Sequence, residues 1–583
     1  MLTKYLKNDD GMLNLISRLN SHLSSHRKKQ LFFLLLLIIA LSFAEAISLA
    51  SIVPFVGVFL NPDIFYSHPW LSTFVDFFEI TNNNQLFLFV TIVFVSLVIL
   101  SCLIKLLFLY LTNKVTNLSE ADLKATIFKY NINQPYSYHL EQSSYVVMSN
   151  IVQKTLAMAI FINCLIQVLG SLMIILFVLG ILILIKPFII LSISSVIIGF
   201  FAVISFINRK KIFKNSEKIS QNQDKIVSIF QDSVGYIGEI IVYSLHNIFI
   251  SKFNKASYQI AESYIYNKSV QEYPRIYLEY IALLCLAALI FFFNQSQGEV
   301  AISFTILAAL GLGAQKMLPA INRVQYHYHN MREYEVVVKD ALNLLDISKK
   351  ERFENSFSEK IFLKKSIKLN NVYFSYNKKN NWILKNINLE IKKGTKVGIK
   401  GTTGSGKSTL GNIIIGLLDP TKGQLFVDDI LINSQNKLAW QKNISIVPQN
   451  IFLNDVSIAE NIAIGIEPKE INLEKVKNAA RQAQLHDFIE STPNQYNEKV
   501  GERGIRLSGG QLQRIGIARA LYREAKVILF DEATNQLDVD TESSVMQSIN
   551  NLNKEITIIF IAHRLSNLIN CDQTVDLAKF LEK

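Results

Sequence analysis

A glycine-rich segment followed by a lysine carries the clearest chemical signal in this sequence. In GTKVGIKGTTGSGKSTL, an apolar strand pattern leads into Gly401, and Gly406, Lys407 and Ser408 complete the spacing G-x-x-x-x-G-K-[ST] before a helical pattern. Glycines let backbone N–H groups curl around phosphate, Lys407 reaches the β- and γ-phosphates, and Ser408 holds Mg²⁺. The segment therefore predicts a nucleotide-phosphate site.

Two adjacent carboxylates and a helix start add the parts needed for hydrolysis. The strand pattern KVILFDEAT ends in Asp531, which suits Mg²⁺ binding, and Glu532, which suits polarising the attacking water. Earlier in the chain, in LSGGQLQRIGIARAL, residues Leu507–Gln511 precede an amphipathic helix. Their N–H groups and the positive end of the helix dipole can meet an anion.

On these motifs, residues 361–583 resemble the nucleotide-binding domain of an ATP-binding cassette (ABC) transporter. The resemblance implies an α/β P-loop NTPase fold, ATP and Mg²⁺ as cofactors, and Glu532 and His563 (in IAHRLS) as catalytic residues. It implies Mg²⁺ contacts from Ser408, Gln449 and Asp531. The residues that it implies for ATP are Tyr376, stacked on adenine, with Gly401, Thr402, Thr403, Gly404, Ser405, Gly406, Lys407, Ser408, Thr409, Gln449, Ser508, Gly509, Gly510, Gln511 and Asp538.

Two features depart from the family pattern. TNQLD stands where S-A-L-D is commoner, so Asn535 and Gln536 differ while Asp538 is kept. We expect this to alter contacts between two copies and to leave the chemistry intact. The sequence also stops at LAKFLEK, which bears on a final strand or helix and not on the site.

The composition indicates a membrane protein with a soluble part. Of the 583 residues, 50% are hydrophobic, the mean hydropathy is +0.26 and the formal charge is +12. A basic balance arises in membrane proteins whose inner loops collect Lys and Arg, and we expect no nucleic-acid partner. Four cysteines do not make a disulfide framework, and we expect free thiols in a reducing compartment.

Six apolar stretches are long enough to cross a bilayer, which takes roughly 20 residues of helix. The pattern predicts an all-α transmembrane domain at 1–345, a charged linker at 346–360, and the nucleotide-binding domain at 361–583. With the cassette resemblance, this layout implies the exporter (type IV) ABC fold. The predicted spans are 31–60, 85–113, 156–185, 188–208, 276–294 and 300–321.

Lys and Arg set the predicted orientation. The loops 61–84 and 295–299 contain neither, whereas 1–30, 114–155 and 209–275 are rich in both. Since basic loops stay in the cytosol, we expect a multi-pass membrane protein with both termini and the nucleotide-binding domain cytoplasmic.

We make separate predictions for three shorter segments, one outer helix and two inner turns. Residues 66–80 have an amphipathic pattern that predicts an outer-surface helix, either a cap on the spans or a lipid contact. Short turns near Tyr136–Glu141 and Leu245–Phe253 are expected to touch the soluble domain.

Three cations fall at nearly one depth near the inner leaflet. Counted from the outer loops at about 1.5 Å per residue, Lys105 and Arg275 lie roughly 30 Å in and Lys316 roughly 24 Å in. Lysines and arginines snorkel at this interface, so the row has a simple explanation. The alternative is a cavity lining for an anionic lipid headgroup. Glu45, near mid-membrane, is favoured as a polar lock between helices.

PRIYLE (274–279) and MLPAINRV (317–324) resemble segments of the bacterial lipid-linked oligosaccharide flippases of the N-glycosylation pathway. The resemblance implies ATP-driven flipping of a polyprenyl-pyrophosphate-linked glycan, with Arg275, Lys105 and Lys316 in the substrate cavity. That the membrane is a bacterial inner (plasma) membrane is also implied by this resemblance to bacterial flippases. Lysine at two of these positions keeps the charge and loses the bidentate fork. The cassette resemblance implies a half-transporter that works as a homodimer with two composite ATP sites.

Two other functions remain open. The first is a drug, peptide or lipid A exporter, although a leader-cleaving peptide exporter would carry an N-terminal peptidase domain that this sequence lacks before its spans. The second is a cassette protein of translation or DNA repair, which the six apolar runs argue against.

Overall fold

A computed structural model of the chain describes residues 11–60, 82–185, 187–295, 300–350, 360–376, 381–532, 537–552, 554–562 and 568–578. It divides into two compact units. The first comprises residues 1–133 and 142–352, and the second comprises 134–141 and 353–583. The predicted outer helix at 66–80 lies outside the described residues.

Helices, several of them very long, make up most of the described part of the chain before residue 351. They are α1 (Met12–His22), α2 (Ser25–Ala50), α3 (Ile52–Leu60), α4 (Asn83–Ile132), α5 (Tyr136–Glu141), α6 (Ser144–Ser149), a π-helical turn (Asn150–Lys154), α7 (Thr155–Ile185), α8 (Pro187–Gly235), α9 (Ile237–Val242), α10 (His246–Gln295) and α11 (Val300–Lys350). The short α5, one of the predicted inner turns, belongs to the second unit. The other turn lies at Tyr243–Leu245, and Ser244 has a φ of 53° there.

Several of these helices are much longer than a bilayer is thick. A 50-residue helix such as α4 extends about 75 Å, against roughly 30 Å of hydrocarbon. By length and composition, three stretches among the described residues can span a membrane: Ser25–Val58, Asn83–Ile132 and Val146–Ile183. The other three predicted spans lie on α8, α10 and α11 and stay predictions.

The core of the first unit forms where α2, α4, α7 and α11 meet. Leu34 and Ile38 of α2 pack with Phe108 of α4, Phe161 of α7 and Leu342 of α11, all of them buried. Leu15 and Leu19 add one face of α1 to the same cluster. Outside this core, α8 packs mainly along α10. Two helices contain an interior proline, Pro274 in α10 and Pro319 in α11.

Helix α11 continues to Lys350, five residues into the range predicted as linker. The reason lies at Asp346, which accepts hydrogen bonds from Arg18 at 2.7 Å and pairs with His22 at 2.6 Å. Burial alone would raise the pKa of Asp346, but the bonds from His22 and Arg18 lower it. These contacts hold α1 against α11 and keep the end of α11 helical.

The second unit is an α/β domain, as predicted. Its strands are β1 (Ser366–Phe374), β2 (Leu384–Lys392), β3 (Lys396–Lys400), β4 (Lys422–Val427), β5 (Ile430–Ile432), β6 (Ile444–Val447), β7 (Val527–Asp531), β8 (Thr557–Ile561) and β9 (Gln573–Asp576). Its helices after residue 360 are α12 (Lys407–Ile414), α13 (Lys437–Gln441), α14 (Ile458–Ile462), α15 (Leu473–Gln482), α16 (His486–Ser491), α17 (Gly509–Tyr522) and α18 (Val539–Asn550).

Two sheets organise the described part of this unit. One is antiparallel in the order β2-β1-β4-β5, and the other is parallel in the order β6-β7-β8-β3-β9. In the parallel sheet, β8 pairs with both β3 and β7. The carboxyl ends of these strands therefore share one edge, which is where ligands bind in open α/β sheets. The phosphate-loop and carboxylate motifs follow β3 and β7 at this edge.

Candidate nucleotide-binding site

The phosphate loop connects β3 to α12 and is shaped by glycine. Gly406 caps α12 with a φ of 87°, a conformation that other residues rarely adopt. A Cβ there would lie 2.9 Å from side-chain carbons of both Ile383 and Leu384. Gly404 has a similar φ of 84°, but a Cβ at that position would meet open space. Of these two glycines, Gly406 is required both by backbone conformation and by packing, whereas Gly404 is required by conformation alone.

Lys407 is held at the loop by the loop's own backbone. Its Nζ donates hydrogen bonds to the carbonyl oxygens of Gly401 at 3.0 Å and Thr402 at 3.1 Å. Burial lowers the pKa of Lys407, while the negative charges of Glu532 and Asp531 oppose that shift. The ammonium group is therefore placed beside the phosphate loop and close to two carboxylates.

Ser408 and Asp531 meet at the sheet edge. Ser408 Oγ donates a hydrogen bond to Asp531 Oδ1 over 3.1 Å, which joins the start of α12 to the end of β7. Burial raises the pKa of Asp531, and the bond from Ser408 works against that rise. A hydroxyl and a carboxylate side by side are the oxygen ligands that Mg²⁺ prefers, so this pair fits the predicted metal role.

Glu532 stands in a strained backbone conformation. Its φ is 51°, in the left-handed region, and its N–H donates to the Ile561 carbonyl at 3.0 Å. Gln449 Nε2 donates to Glu532 Oε2 at 2.9 Å. This link between the predicted Q-loop glutamine and the predicted catalytic carboxylate is not visible in the sequence, where 83 residues separate them.

Tyr376 follows β1 by two residues and contacts the first turn of α12, next to the phosphate loop. Its hydroxyl lies 3.3 Å from Thr409 Oγ1, and its ring meets Phe374 edge-on with 4.9 Å between centroids. The side chain is 45% exposed, so part of the ring remains accessible for the predicted stacking. Ser405 Oγ is buried and has no hydrogen-bond partner among the described residues, which fits a loop whose polar atoms turn toward a ligand.

The signature residues form the start of α17. Ser508 Oγ accepts from the Gln511 N–H at 3.3 Å, and Gln511 Oε1 accepts from the Ser508 N–H at 2.8 Å. These two side chains make a capping box, which places Gly509 and Gly510 in the first turn. Asp538 likewise caps α18 through the Thr541 N–H at 3.0 Å, and bonds from Thr541 lower the pKa of Asp538.

No hydrogen bond among the described residues joins the signature or Asp538 to the phosphate loop. The structure thus brings together Tyr376, the loop, Gln449, Asp531 and Glu532. Ser508–Gln511 and Asp538 instead cap α17 and α18 without a hydrogen bond to that group among the described residues. His563 and the altered Asn535 and Gln536 lie outside the described residues. Within the described residues, no group of three or more His, Cys, Asp and Glu side chains forms a metal cluster.

A separate ionic cluster joins three helices of the first unit. Lys105 Nζ on α4 donates to Glu45 Oε1 on α2 at 2.6 Å, and Lys316 Nζ on α11 lies 4.0 Å from Glu45 Oε2. The Glu45 side chain is 3% exposed, whereas those of Lys105 and Lys316 are 49% and 40% exposed. Glu45 therefore links two predicted cavity cations, a role that the sequence indicated only as a polar lock.

Arg275 is placed differently. Its Nε donates to Glu279 Oε1 at 3.2 Å, one turn further along α10, and both side chains are more than half exposed. No ion pair among the described residues connects Arg275 with Glu45. The structure therefore joins Lys105 and Lys316 through Glu45, whereas Arg275 pairs with Glu279 of its own helix.

Comparison with known proteins agrees with this geometry. The ABC transporter family profile matches residues 384–535. The chain is 32% identical over 300 residues to the ATP-dependent lipid A-core flippase of Pasteurella multocida, covering 51% of this chain and 50% of that protein. It is 34% identical over 278 residues to the alpha-hemolysin translocation ATP-binding protein HlyB of Escherichia coli O157:H7, covering 48% and 38%. The alignments thus span half or less of these curated relatives.

A solved structure matches nearly the whole chain. The structure of a bacterial Atm1-family ABC exporter with ATP bound superposes with a TM-score of 0.76 at 21% identity, covering 94% of this chain and 93% of the other. The predicted exporter fold, with a helical apolar region and an α/β nucleotide-binding domain in one chain, is confirmed.

The Glu532→Gln substitution tests the role of the carboxylate. We expect ATP binding to persist and hydrolysis to fall about 10²–10⁴-fold, because the amide cannot accept a proton from water. Nucleotide binding and phosphate release by the purified full chain measure both. Glu555→Gln, at a carboxylate 4.0 Å from Lys526, serves as the control and should change neither. Undiminished hydrolysis by Glu532→Gln would refute the assignment.

The two glycines of the loop provide a matched stability test. Ala at either Gly404 or Gly406 strains the backbone by about 1–3 kcal/mol. Gly406→Ala adds an overlap with Ile383 and Leu384, worth about 1–3 kcal/mol more. Thermal unfolding of the purified chain should therefore show a larger loss of stability for Gly406→Ala. Equal losses would mean that packing under the loop contributes nothing.

Proposed function

We propose that this ABC exporter half-transporter hydrolyses ATP to move an anionic lipid-linked substrate, a polyprenyl-pyrophosphate-linked oligosaccharide, from the inner to the outer leaflet. The observation that carries the cargo class is the half-exposed pair of ammonium groups on Lys105 and Lys316 around buried Glu45. The arrangement of Lys407, Ser408 and Asp531 at the carboxyl edge of the parallel sheet supports ATP hydrolysis as the energy source. The half-length matches to relatives named as an ATP-dependent flippase and a translocation ATP-binding protein support the ATP-driven export in this proposal.

The residues around the phosphate loop divide the work of hydrolysis. Lys407, held by loop carbonyls, is placed to bind phosphate oxygens, and Ser408 with Asp531 would hold Mg²⁺. When bound, Mg²⁺ supplies positive charge that neutralises the phosphates. Glu532 accepts the proton of the attacking water, and Gln449 orients its carboxylate.

The separation of the signature from the phosphate loop favours a homodimer. In this proposal, each composite ATP site combines the loop of one copy with Ser508–Gln511 and Asp538 of the other, and His563 contacts the γ-phosphate. A two-fold arrangement supplies two equal sites and twelve spans. The chain would lie in a bacterial inner membrane, with its termini and nucleotide-binding domains in the cytoplasm, as its Lys and Arg distribution favours.

The ionic cluster favours an anion over a neutral cargo. Two lysines share one carboxylate, so the cluster keeps a net positive charge while Glu45 is buried. Burying Glu45 is costly unless cations pair with it, and both lysines lie within 4.0 Å. Their exposed ammonium groups retain donors for a second anion, and a pyrophosphate carries the charge and acceptors to use them. Arg275 would add a planar, bidentate contact.

The alternative is a multidrug, lipid A or peptide exporter. Relatives named as a lipid A-core flippase and a hemolysin translocation protein keep this reading open. Lipid A and a polyprenyl-pyrophosphate glycan are both anionic amphiphiles, so the ionic cluster does not distinguish between them. Transport of defined lipids by the reconstituted protein distinguishes them.

Reconstitution in liposomes with a fluorescent polyprenyl-pyrophosphate glycan tests the cargo site. We expect Lys105→Gln with Lys316→Gln, and separately Arg275→Ala, to slow ATP-dependent flipping about 10–100-fold, the loss for charged hydrogen bonds. Basal ATP hydrolysis should stay within about twofold, because these residues belong to the first unit and the phosphate loop to the second.

Lys114→Gln is the matched control, since this lysine lies on the same helix as Lys105 and contacts the Tyr110 ring. It should leave flipping unchanged. Normal flipping by the double lysine variant would mean that these lysines only snorkel to the membrane interface and do not bind cargo. Flipping of lipid A but not of the glycan lipid would select the alternative exporter.

A further inference from the structure

An apolar cavity of about 200 Å³ lies where α1, α2 and α7 meet. Each helix supplies one wall, and the polar side chain among the lining residues is Asn20. The full lining is Ile16, Leu19, Asn20, Leu23, Leu31, Leu34, Leu35, Ile38, Ile162, Leu165, Ile166 and Leu169. Water needs two to four polar partners to remain in such a space, so this lining favours hydrocarbon.

Charged contacts hold the α1 wall in place. Arg18 donates to Asp346 at 2.7 Å and to Asn343 at 2.8 Å, and His22 pairs with Asp346 at 2.6 Å. All three bonds tie α1 to the end of α11, and the neighbouring Leu15 and Leu19 of α1 are buried in the core. The cavity is therefore bounded by a fixed helix and not by a fraying terminus.

The cavity begins where the surface of α2 changes from basic to apolar. Lys28 is exposed and lies three residues before Leu31 and seven before Leu35, on the helix face that lines the cavity. Lys28 makes no ion pair within the described residues, whereas the adjacent Arg27 is engaged by Asp122 at 2.9 Å. Phe32, Phe33 and Leu36 follow as exposed apolar side chains. This order is typical of the headgroup level of a bilayer.

We propose that this cavity, with Lys28 at its mouth, binds an anionic phospholipid of the cytoplasmic leaflet. One acyl chain enters the cavity and the phosphate contacts the Lys28 ammonium. From Leu31 to Ile38 the α2 wall runs about 10 Å, and 200 Å³ holds about seven water-sized groups, which suits part of one chain. The site is distinct from the Glu45 cluster and does not depend on the cargo proposed above.

Lipid retention measured by native mass spectrometry tests the headgroup contact. Purified full-length protein is incubated with phosphatidylglycerol or phosphatidylcholine of identical acyl chains. We expect the native protein to retain phosphatidylglycerol about fivefold better, the preference given by one lysine near an anionic surface. Lys28→Glu should abolish the preference. Lys29→Glu, with the same charge change about 100° around the helix on the Phe33 face, should keep it.

Filling the cavity tests the chain contact. Leu169→Trp enters from the rim, where Leu169 is 38% exposed, and should remove retention of both lipids. Leu172→Trp is its control, since Leu172 is 42% exposed on the same helix and does not line the cavity. ATP hydrolysis and size-exclusion profiles verify folding, and Leu35→Trp replaces Leu169→Trp if that variant misfolds.

The outcomes separate clearly. Equal losses for Lys28→Glu and Lys29→Glu would show a general charge effect and overturn the site. So would full lipid retention by the cavity-filling variants, or no phosphatidylglycerol preference in the native protein. The proposed cargo transport could still hold in each of those cases, because its own variants lie in the Glu45 cluster and on α10.

Discussion

The position of one ammonium group beside two carboxylates governs the arrangement of the nucleotide site. Lys407 bonds to the carbonyls of Gly401 and Thr402 while Asp531 and Glu532 act on it electrostatically. Burial disfavours the charge on Lys407 and on Asp531, so each group stabilises the charged form of the other. This compensation requires β3 and β7 to end at the same edge, which the intervening β8 ensures.

Backbone geometry supports the same arrangement. Glu532 occupies a left-handed conformation that costs free energy, and it persists because its N–H is bound by Ile561 and its carboxylate by Gln449. At Gly406 the requirement is steric, because both its left-handed conformation and the nearby side chains of Ile383 and Leu384 exclude a Cβ. These two positions set the local backbone path of the carboxylates and of the phosphate loop, at an edge that the strand order already defines.

The sequence predicted the parts of the site better than their contacts. Spacing alone placed Gly406, Lys407 and Asp531 on a loop, a helix start and a strand end, because these motifs are local. It could not show that Gln449 bonds to Glu532, or that Ser508 and Gln511 satisfy each other in a capping box, since side-chain geometry decides both. The linker was predicted to begin at 346 because its composition is charged, yet ion pairs from α1 keep that stretch helical through Lys350.

Two interior prolines place points of lower bending resistance beside the proposed cargo cations Arg275 and Lys316. Pro274 immediately precedes Arg275, and Pro319 follows Lys316 by three residues. Each proline lacks the N–H that an α-helix uses to hold the carbonyl four residues earlier, which lowers the resistance to flexing there. α10 and α11 can therefore hinge close to their cations. Bending at either proline would change the distance between the charges of Arg275 and Lys316. A mechanical change in the helices would then also change the electrostatics around these cations.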